Sequence, residues 1–200
     1  MSKADCPKHL AVTDPSPWVA RWAPLIRPNG SVLDVAAGGG RHGRFLMARG
    51  HAVTFVDRSF EPLADLAGRP GAEVIEADLE TGAPWPFKGR PFAAVVVVNY
   101  LHRPLFEDLI LSLEPGGVLI YETFARGNED FARPRNPDHL LKAGELLHAV
   151  TDRLQIVAYE HGLVGSGDIP GVKQRLCAVN DLGTSNREDG EPPVHGISRV

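Results

Sequence analysis

The sequence has few cysteines and no long apolar run. Cys6 and Cys177 are its two cysteines, and their spacing fits neither a disulfide framework nor a structural metal site. The longest apolar run covers residues 92–98 and is too short to cross a bilayer. The first seventeen residues are polar and contain no apolar segment of the kind that directs export. We therefore expect a cytoplasmic protein with no membrane partner and no bound metal.

The chain also lacks an excess of positive charge. Its formal net charge is −4 and its pI is near 6.1, so a general electrostatic attraction to nucleic acid is not expected. Hydrophobic residues make up 43% and charged residues 23% of the 200 positions, which is typical of one globular domain. A small molecule is the expected partner, bound by a monomer or a homodimer.

Five segments rich in Val and Ile alternate with polar stretches that are compatible with helices. They cover residues 31–36, 52–57, 73–77, 92–99 and 118–123. The fourth begins FAAVVVV and is apolar at every position, which is typical of a parallel strand covered on both faces. This alternation predicts an α/β fold with a doubly wound sheet.

Two later β-like segments, residues 154–160 and 172–179, are joined by a stretch rich in Gly and Pro, which predicts an antiparallel hairpin. The full prediction is a single doubly wound, mostly parallel seven-stranded sheet with helices on both faces and an antiparallel C-terminal edge hairpin. We expect an N-terminal arm over 1–15, the domain over 16–180, and a disordered or loosely attached tail over 181–200.

The domain is expected to open with a helix at Ser16 or Pro17, because Ser caps helices well and Pro suits the first turn. Trp18 and Trp22 share one face of that helix. They either close a pocket or belong to the core, and aromatic residues at this spacing more often belong to the core.

A glycine-rich turn follows the first predicted strand. Gly38, Gly40 and Gly43 match G-x-G-x-x-G, a pattern that is common by chance and informative here because a strand precedes it and a helix follows. The next strand ends in Asp57. Glycine lets a ligand approach the backbone, and a carboxylate at that strand end can accept hydrogen bonds from ribose hydroxyls.

Asp34 separates two classes of cofactor. It lies four residues before Gly38, where a carboxylate would repel the diphosphate of NAD and could hold the ammonium of S-adenosylmethionine. The residue could instead cap the glycine-rich turn. We favour the sulfonium cofactor, with an NAD-dependent oxidoreductase as the alternative.

The motif Asp34-Val35-Ala36-Ala37-Gly38-Gly39-Gly40 resembles that of the class I S-adenosylmethionine-dependent methyltransferases, with Ala36 where the family usually has glycine. The resemblance continues in order through Asp57, residues 76–79, residues 99–101 and residues 113–119, and covers roughly residues 32–179. It implies an enzyme that transfers a methyl group to a small molecule by in-line displacement, acting mainly by positioning. A cofactor-binding module without catalysis is a further alternative.

The resemblance also implies roles for individual residues. Those for cofactor binding are Asp34, Ala36, Gly38 and Gly40 at the methionine end, Asp57 and Arg58 at the ribose, Asp78 and Leu79 at the adenine, and Asn99 near the methyl group. Asp57, Asp78 and Asn99 could instead be a helix N-terminal anion, a turn residue and a strand-end cap.

The acceptor is expected beside the loop after the fourth strand. Asn99, Tyr100 and His102 are the candidate catalytic residues, with His102 as a possible base. The family's Asn- or Asp-Pro-Pro-aromatic signature is absent here, which disfavours methylation of DNA bases and Gln side chains. Arg103 could hold an anionic substrate or only fix the loop.

Further candidate acceptor contacts follow the fourth and fifth strands. Glu122 is a second possible base, and the long segment 125–137 carries Arg133 among its arginines. We expect this segment to be either a lid that favours an anionic acceptor or an ordinary solvated loop. Arg103, Glu122 and Arg133 are thus the candidate substrate contacts.

Overall fold

The computed structural model describes residues 12–165, 169–185 and 187–197. Most of the predicted N-terminal arm and the last three residues of the predicted tail therefore lie outside the described residues. Within the described ranges, no helix is long and apolar enough to cross a membrane.

The elements alternate as the sequence predicts, although the helices are short. The α-helices are α1 (Pro17–Trp22), α2 (Arg41–Met47), α3 (Phe106–Leu111) and α4 (Glu145–Val150). The strands are β1 (Val32–Val35), β2 (Val53–Asp57), β3 (Ala72–Glu76), β4 (Phe92–Val98), β5 (Leu113–Phe124), β6 (Gln155–Val164) and β7 (Gly171–Val179). Between β2 and β3 the connection is a 3-10 helix over Glu61–Leu66 rather than an α-helix.

The seven strands form one sheet in the order β3-β2-β1-β4-β5-β7-β6. The pairs from β3 to β5 are parallel, and β7 is antiparallel to both β5 and β6. This confirms the predicted fold class, including the edge hairpin. The chain order reverses between β1 and β4, and ligands bind outside the carboxyl ends of the strands at such a switch point.

Both faces of β4 are buried. Val95 and Val97 belong to one hydrophobic cluster, while Val96 and Val98 belong to a second cluster on the other side of the sheet. All seven residues of the strand are buried. Burial of each Val side chain contributes roughly 1.5–3 kcal/mol to the free energy of unfolding. The absence of alternation in this strand therefore follows from its central place in the sheet.

The helix α1 begins at Pro17, as expected, and the Ser16 hydroxyl accepts a hydrogen bond from the Trp18 amide at 3.1 Å. Trp18 and Trp22 are 2% and 1% exposed and pack edge to face. The Trp18 indole also donates to the carbonyl of Leu176 at 3.2 Å. Both tryptophans are core residues.

Two strands are longer than the sequence predicts. β5 begins at Leu113, five residues before Val118, because Leu113 already pairs with Phe92 of β4. β6 continues to Val164 because its pairing with β7 persists to that residue. Hydrogen bonding to a neighbouring strand extended these elements beyond their apolar segments.

Part of the predicted tail lies against the sheet edge. Asp181 is 3% exposed, and one of its carboxylate oxygens lies 2.6 Å from His195 Nε2. The Gln155 amide at the start of β6 donates to the carbonyl of Pro193 at 3.1 Å. These contacts attach residues 193–195 to the edge of the sheet.

Candidate functional site

Two residues in an unusual backbone conformation mark the switch point. Ala36 follows β1 with a φ of 52°, and Asn99 follows β4 with a φ of 58°. Because β1 and β4 are paired in parallel, both residues lie at the same edge of the sheet. Positive φ is strained for residues other than glycine, and such strain clusters at functional sites. The structure therefore brings the predicted Ala36 and Asn99 together at this edge.

The glycine-rich turn leads directly into α2. Gly38 and Gly40 have φ values of 56° and 72°, which glycine adopts readily. The Gly40 amide donates to the carbonyl of Ala37 at 2.8 Å, and α2 begins at the next residue. The turn thus places backbone amides at the end of β1.

The carboxylate of Asp57 is fixed beside this turn. One oxygen accepts a hydrogen bond from the Gly38 amide at 2.8 Å, and the other accepts from the Ser59 amide at 3.1 Å. A carboxylate has about four acceptor positions, so both oxygens retain capacity for a ligand. Arg58, the neighbouring candidate, is exposed.

Asp34 is buried beneath the turn. It is 1% exposed, and its Oδ2 accepts a hydrogen bond from the Gly43 amide in the first turn of α2 at 2.8 Å. This is the capping arrangement that the sequence left open for Asp34. Burial raises the pKa of the carboxyl to about 7, although the Gly43 amide and Arg41 act in the opposite direction.

Tyr100 lies near the acidic residues that follow β2 and β3. Burial and the neighbouring Glu80, Asp78 and Asp57 raise the pKa of the phenol. The exposed Asp78 also accepts a hydrogen bond from the Glu80 amide at 2.9 Å, forming the turn that was its alternative role. Leu79 packs against the same hydrophobic cluster as Tyr100. The structure therefore groups the predicted ribose and adenine residues with Tyr100.

Asn99 presents a buried acceptor atom. Its backbone N–H donates to the backbone carbonyl of Glu122 at 2.8 Å. Its side-chain Oδ1 is buried and has no hydrogen-bond partner within the described part of the chain. Leaving such an atom unpaired costs about 1–3 kcal/mol, and ligand donors commonly satisfy it.

The loop after β4 continues from Asn99 through residues 100–105. His102 is half-buried and precedes a 3-10 turn over Arg103–Leu105. The Arg103 guanidinium forms a salt bridge to Glu145 and hydrogen bonds to two backbone carbonyls. Arg103 therefore fixes the loop, which is one of the two roles that the sequence left open.

Glu122 lies in the interior of the protein. Its side chain is 0% exposed and is paired with Lys173 at 2.8 Å and Arg175 at 2.7 Å. The Ser16 hydroxyl also donates to Glu122 at 3.0 Å. This placement differs from the predicted acceptor contact, because burial and pairing with two cations hold the carboxylate away from the surface.

The segment 125–137 is pinned at its base. Asn128 is buried; its side-chain amide donates to the carbonyl of Pro134 at 2.9 Å, and its Oδ1 accepts from the Val172 amide at 3.2 Å. Arg126 is paired with Glu129, whereas Arg133 is exposed. Closure of this segment over an acceptor stays a prediction.

Sequence reasoning missed Glu145, Lys173 and Arg175. Each is paired with a residue 42 to 53 positions away in the chain, so no local pattern indicates the contact. The register of β5 against β7, which pairs Glu122 with Arg175, would have been needed to find two of them.

Comparison with known families matches residues 32–117 to a methyltransferase domain. Comparison with curated proteins gives no match. The matched region contains the glycine-rich turn, Asp57, Asp78 and the loop after β4. The match favours a methyltransferase over the NAD-dependent alternative.

Comparison with solved structures shows the same fold in several proteins. The chain is 18% identical to TehB from Haemophilus influenzae, covering 86% of this chain and 65% of TehB, with a TM-score of 0.68. It is 19% identical to a SAM-dependent methyltransferase from Methanosarcina mazei, covering 84% of this chain and 98% of that one, with a TM-score of 0.62.

A third similar structure was solved with a bound cofactor product. It is the Burkholderia thailandensis 1,6-didemethyltoxoflavin-N1-methyltransferase with S-adenosylhomocysteine, which is 19% identical, with 82% of this chain and 76% of that chain covered and a TM-score of 0.57. Each of these structures is under 25% identical to this chain, so they confirm its predicted fold. Residues 32–117 therefore match a methyltransferase domain, and the chain shares its fold with solved methyltransferase structures.

Proposed function

We propose that this protein transfers the methyl group of S-adenosylmethionine to a small-molecule acceptor. The observation that carries the proposal is the carboxylate of Asp57, which the Gly38 and Ser59 amides hold beside the glycine-rich turn. Fixed acceptor atoms at the end of β2 suit the two hydroxyls of a ribose.

Other described residues fit the same cofactor. At the end of β4, the buried Asn99 Oδ1 can accept a hydrogen bond from an N–H group. The ammonium of the cofactor, or an amine that receives the methyl group, could donate this bond. Asp34 supplies negative charge below the turn when it is ionised, which favours a cationic headgroup there. Asp78 and Leu79 would border the adenine, and Arg58 would lie near the ribose.

The cofactor, when bound, supplies a methyl group already activated by the sulfonium, so the protein need only align it with the acceptor. Tyr100 keeps its proton because its pKa is raised, so it acts as a hydrogen-bond donor and not as a base. His102, half-buried in the same loop, is the residue that would accept a proton from a hydroxyl or ammonium acceptor.

The arginines of the loops after β4 and β5 bear on the charge of the methyl acceptor. Arg103 and Arg126 are committed to Glu145 and Glu129. Arg133 and Arg135 are exposed and would favour an anionic group on the acceptor if segment 125–137 closes. The similar structure from Burkholderia thailandensis is that of an N1-methyltransferase, so heterocyclic nitrogen compounds belong in the first acceptor screen.

The first test is isothermal titration of the full chain with S-adenosylhomocysteine, with NADH as the control ligand. We expect S-adenosylhomocysteine to bind and NADH not to bind. Binding of NADH alone would overturn the proposal.

The second test is a transfer assay with the methyl-labelled cofactor and a library of heterocyclic nitrogen compounds, small amines, thiols and carboxylates. We expect label to appear in one class of product. Binding of the cofactor without transfer to any acceptor would instead favour the module without catalysis.

A further inference from the structure

One guanidinium joins the two loops that border the proposed acceptor site. Arg103 lies in the β4 loop, defined here as residues 99–105, which also carries Asn99, Tyr100 and His102. The β5 loop, defined as residues 125–144, runs from the end of β5 to the start of α4. Within the described residues, Arg103 supplies the side-chain hydrogen bonds that run from the β4 loop to the β5 loop and α4.

The contacts of Arg103 use both edges of its guanidinium. Its Nε and Nη2 donate to the two carboxylate oxygens of Glu145 at 2.6 and 3.1 Å. Its Nη1 donates to the carbonyl of Asp138 at 2.6 Å, and its Nη2 donates to the carbonyl of Leu140 at 3.0 Å. A single side chain thus makes four hydrogen bonds to the last part of the β5 loop and the first residue of α4.

The far side of this contact is itself anchored. The Glu145 carboxylate also accepts a hydrogen bond from the Lys142 amide at 2.7 Å. Gln174 of β7 donates to the carbonyl of Lys142 at 2.6 Å and accepts from the Leu146 amide at 3.2 Å. Arg103 therefore ties the β4 loop to a segment that is fixed to the sheet through β7.

This pattern of contacts requires arginine. The planar guanidinium binds a carboxylate through two parallel hydrogen bonds and still has donors for the two carbonyls. A lysine ammonium has one nitrogen and cannot span all four acceptors. Charge alone therefore does not reproduce the contact.

We propose that Arg103 is a positioning residue, which holds the β4 loop and the β5 loop together so that the acceptor side of the site keeps one shape. The proposal rests on the proposed function, because the acceptor is placed between these loops. Alignment of acceptor and methyl group governs in-line transfer, and small displacements of positioning groups cost about a hundredfold in rate. Asp57, the carboxylate beside the proposed cofactor, is held by the Gly38 and Ser59 amides, whereas the hydrogen bonds of Arg103 go to Glu145, Asp138 and Leu140.

The test compares Arg103→Gln, Arg103→Lys and Glu145→Gln in the full chain. The matched control is Arg153→Gln, because Arg153 also forms a two-pronged salt bridge, to Glu107 on the exposed surface at 2.7 and 2.9 Å. The first readout is amide hydrogen exchange, which needs neither cofactor nor acceptor. We expect residues 99–105 and 136–145 to exchange about tenfold faster in all three variants and to be unchanged in Arg153→Gln.

The second readout is calorimetric affinity for S-adenosylhomocysteine, and the third is the transfer rate with whichever acceptor the screen identifies. We expect the affinity to stay within about twofold of the wild type and kcat to fall about ten- to a hundredfold in Arg103→Gln and Glu145→Gln. If charge alone mattered, Arg103→Lys would keep the kcat of the wild type. We expect its kcat to lie between those of the wild type and Arg103→Gln, which supports the requirement for a planar guanidinium.

Three results would overturn the proposal. Unchanged exchange in both loops of Arg103→Gln would show that the contact does not hold them. A loss of activity in Arg103→Gln with full activity in Glu145→Gln would show that Arg103 binds the substrate directly. A large loss of cofactor affinity would place Arg103 in the cofactor pocket. Failure of the proposed function would give a different result. The wild type would not bind the cofactor, while Arg103→Gln would still speed amide exchange in residues 99–105 and 136–145.

Discussion

Two carboxylates at neighbouring strand ends have different surroundings. Asp57 is partly exposed and keeps acceptor capacity for a ligand, whereas Asp34 is buried and caps α2. The sequence places Asp57 correctly at the end of β2 and Asp34 within β1, because glycine and strand patterns fix those positions. Their different environments depend on how α2 packs over the sheet, which no local pattern shows.

Substitution of Asp57 tests its proposed contact with the ribose. We expect Asp57→Ala to weaken binding of S-adenosylhomocysteine by about 1.5–3 kcal/mol, because charged hydrogen bonds to the hydroxyls are lost. Isothermal titration measures this change. The control is Asp65→Ala, which removes an exposed carboxylate paired with Arg44 and should leave the affinity unchanged. Equal affinities in wild type and Asp57→Ala would remove Asp57 from the site.

The raised pKa of Asp34 predicts a pH dependence of stability. Burial lifts this pKa from 3.8 to about 7, so the folded state binds a proton more tightly than the unfolded state does. The free energy of unfolding should therefore fall as the pH rises from about 4 to about 7, by up to about 3 kcal/mol between pH 5 and pH 8.

Asp34→Asn provides the comparison, because the Asn carbonyl can still accept from the Gly43 amide and does not titrate. We expect urea unfolding of this variant to vary less with pH than that of the wild type. Parallel pH profiles would show that Asp34 ionises normally in the folded protein.

At the scale of elements, a buried cluster of charges joins β5 and β7. Glu122 lies between Lys173 and Arg175, and Ser16 links the cluster to the start of α1. Removing one partner from a buried pair leaves uncompensated charge, which is strongly destabilising. The cluster therefore fixes the antiparallel hairpin and the N-terminal helix to the parallel part of the sheet.

This role predicts the effect of Glu122→Gln. We expect it to lower the free energy of unfolding by about 3–5 kcal/mol, measured by urea denaturation. The control is Glu107→Gln, since Glu107 forms an exposed pair with Arg153 and should leave the free energy of unfolding almost unchanged. Unchanged stability with a lost pH dependence of transfer would instead restore Glu122 as a base.

The contact between α2 and β2 depends on a glycine without a Cβ. A Cβ at Gly43 would lie 2.6 Å from Phe55 Cζ and 2.9 Å from Val53 Cγ1. We expect Gly43→Ala to destabilise the protein by about 1–3 kcal/mol, because overpacking outweighs the better helix propensity of alanine.

The matched control for Gly43→Ala is Gly162→Ala in β6, where a Cβ meets no atom within 4 Å. Urea unfolding of the two variants checks the prediction. Equal stabilities would show that α2 moves away from β2 at little cost.

At the scale of the whole molecule, a ligand that binds only the folded state raises the melting temperature. At a hundred times its dissociation constant, S-adenosylhomocysteine should stabilise the fold by about 2.7 kcal/mol. For a chain of 200 residues, this corresponds to a rise of about 5–10 °C. Differential scanning fluorimetry measures the shift. Asp57→Ala at the same ligand concentration should show a smaller rise, and an equal rise would contradict the proposed binding mode.

The sheet was predictable because its signals are local. The non-alternating run in β4, the glycine-rich turn after β1 and the Gly- and Pro-rich link before β7 each indicate one feature of the topology. The acceptor side was less predictable because its side chains are paired over long distances in the chain. Arg103 and Glu145 are 42 residues apart, and Glu122 and Lys173 are 51 apart. The charged residues predicted to bind the substrate are therefore paired with other residues of the protein.

The strand order separates the two halves of the site. The glycine-rich turn, Asp57 and Asp78 come from β1 to β3, whereas the β4 loop and the β5 loop come from the opposite half of the sheet. Directed evolution can therefore randomise the second half, except Asn99 and Tyr100, to change the preference for the methyl acceptor while the cofactor-binding residues stay intact. Libraries that keep Arg103 and Glu145 constant would vary the other side chains of the two loops while the contact between the loops is preserved.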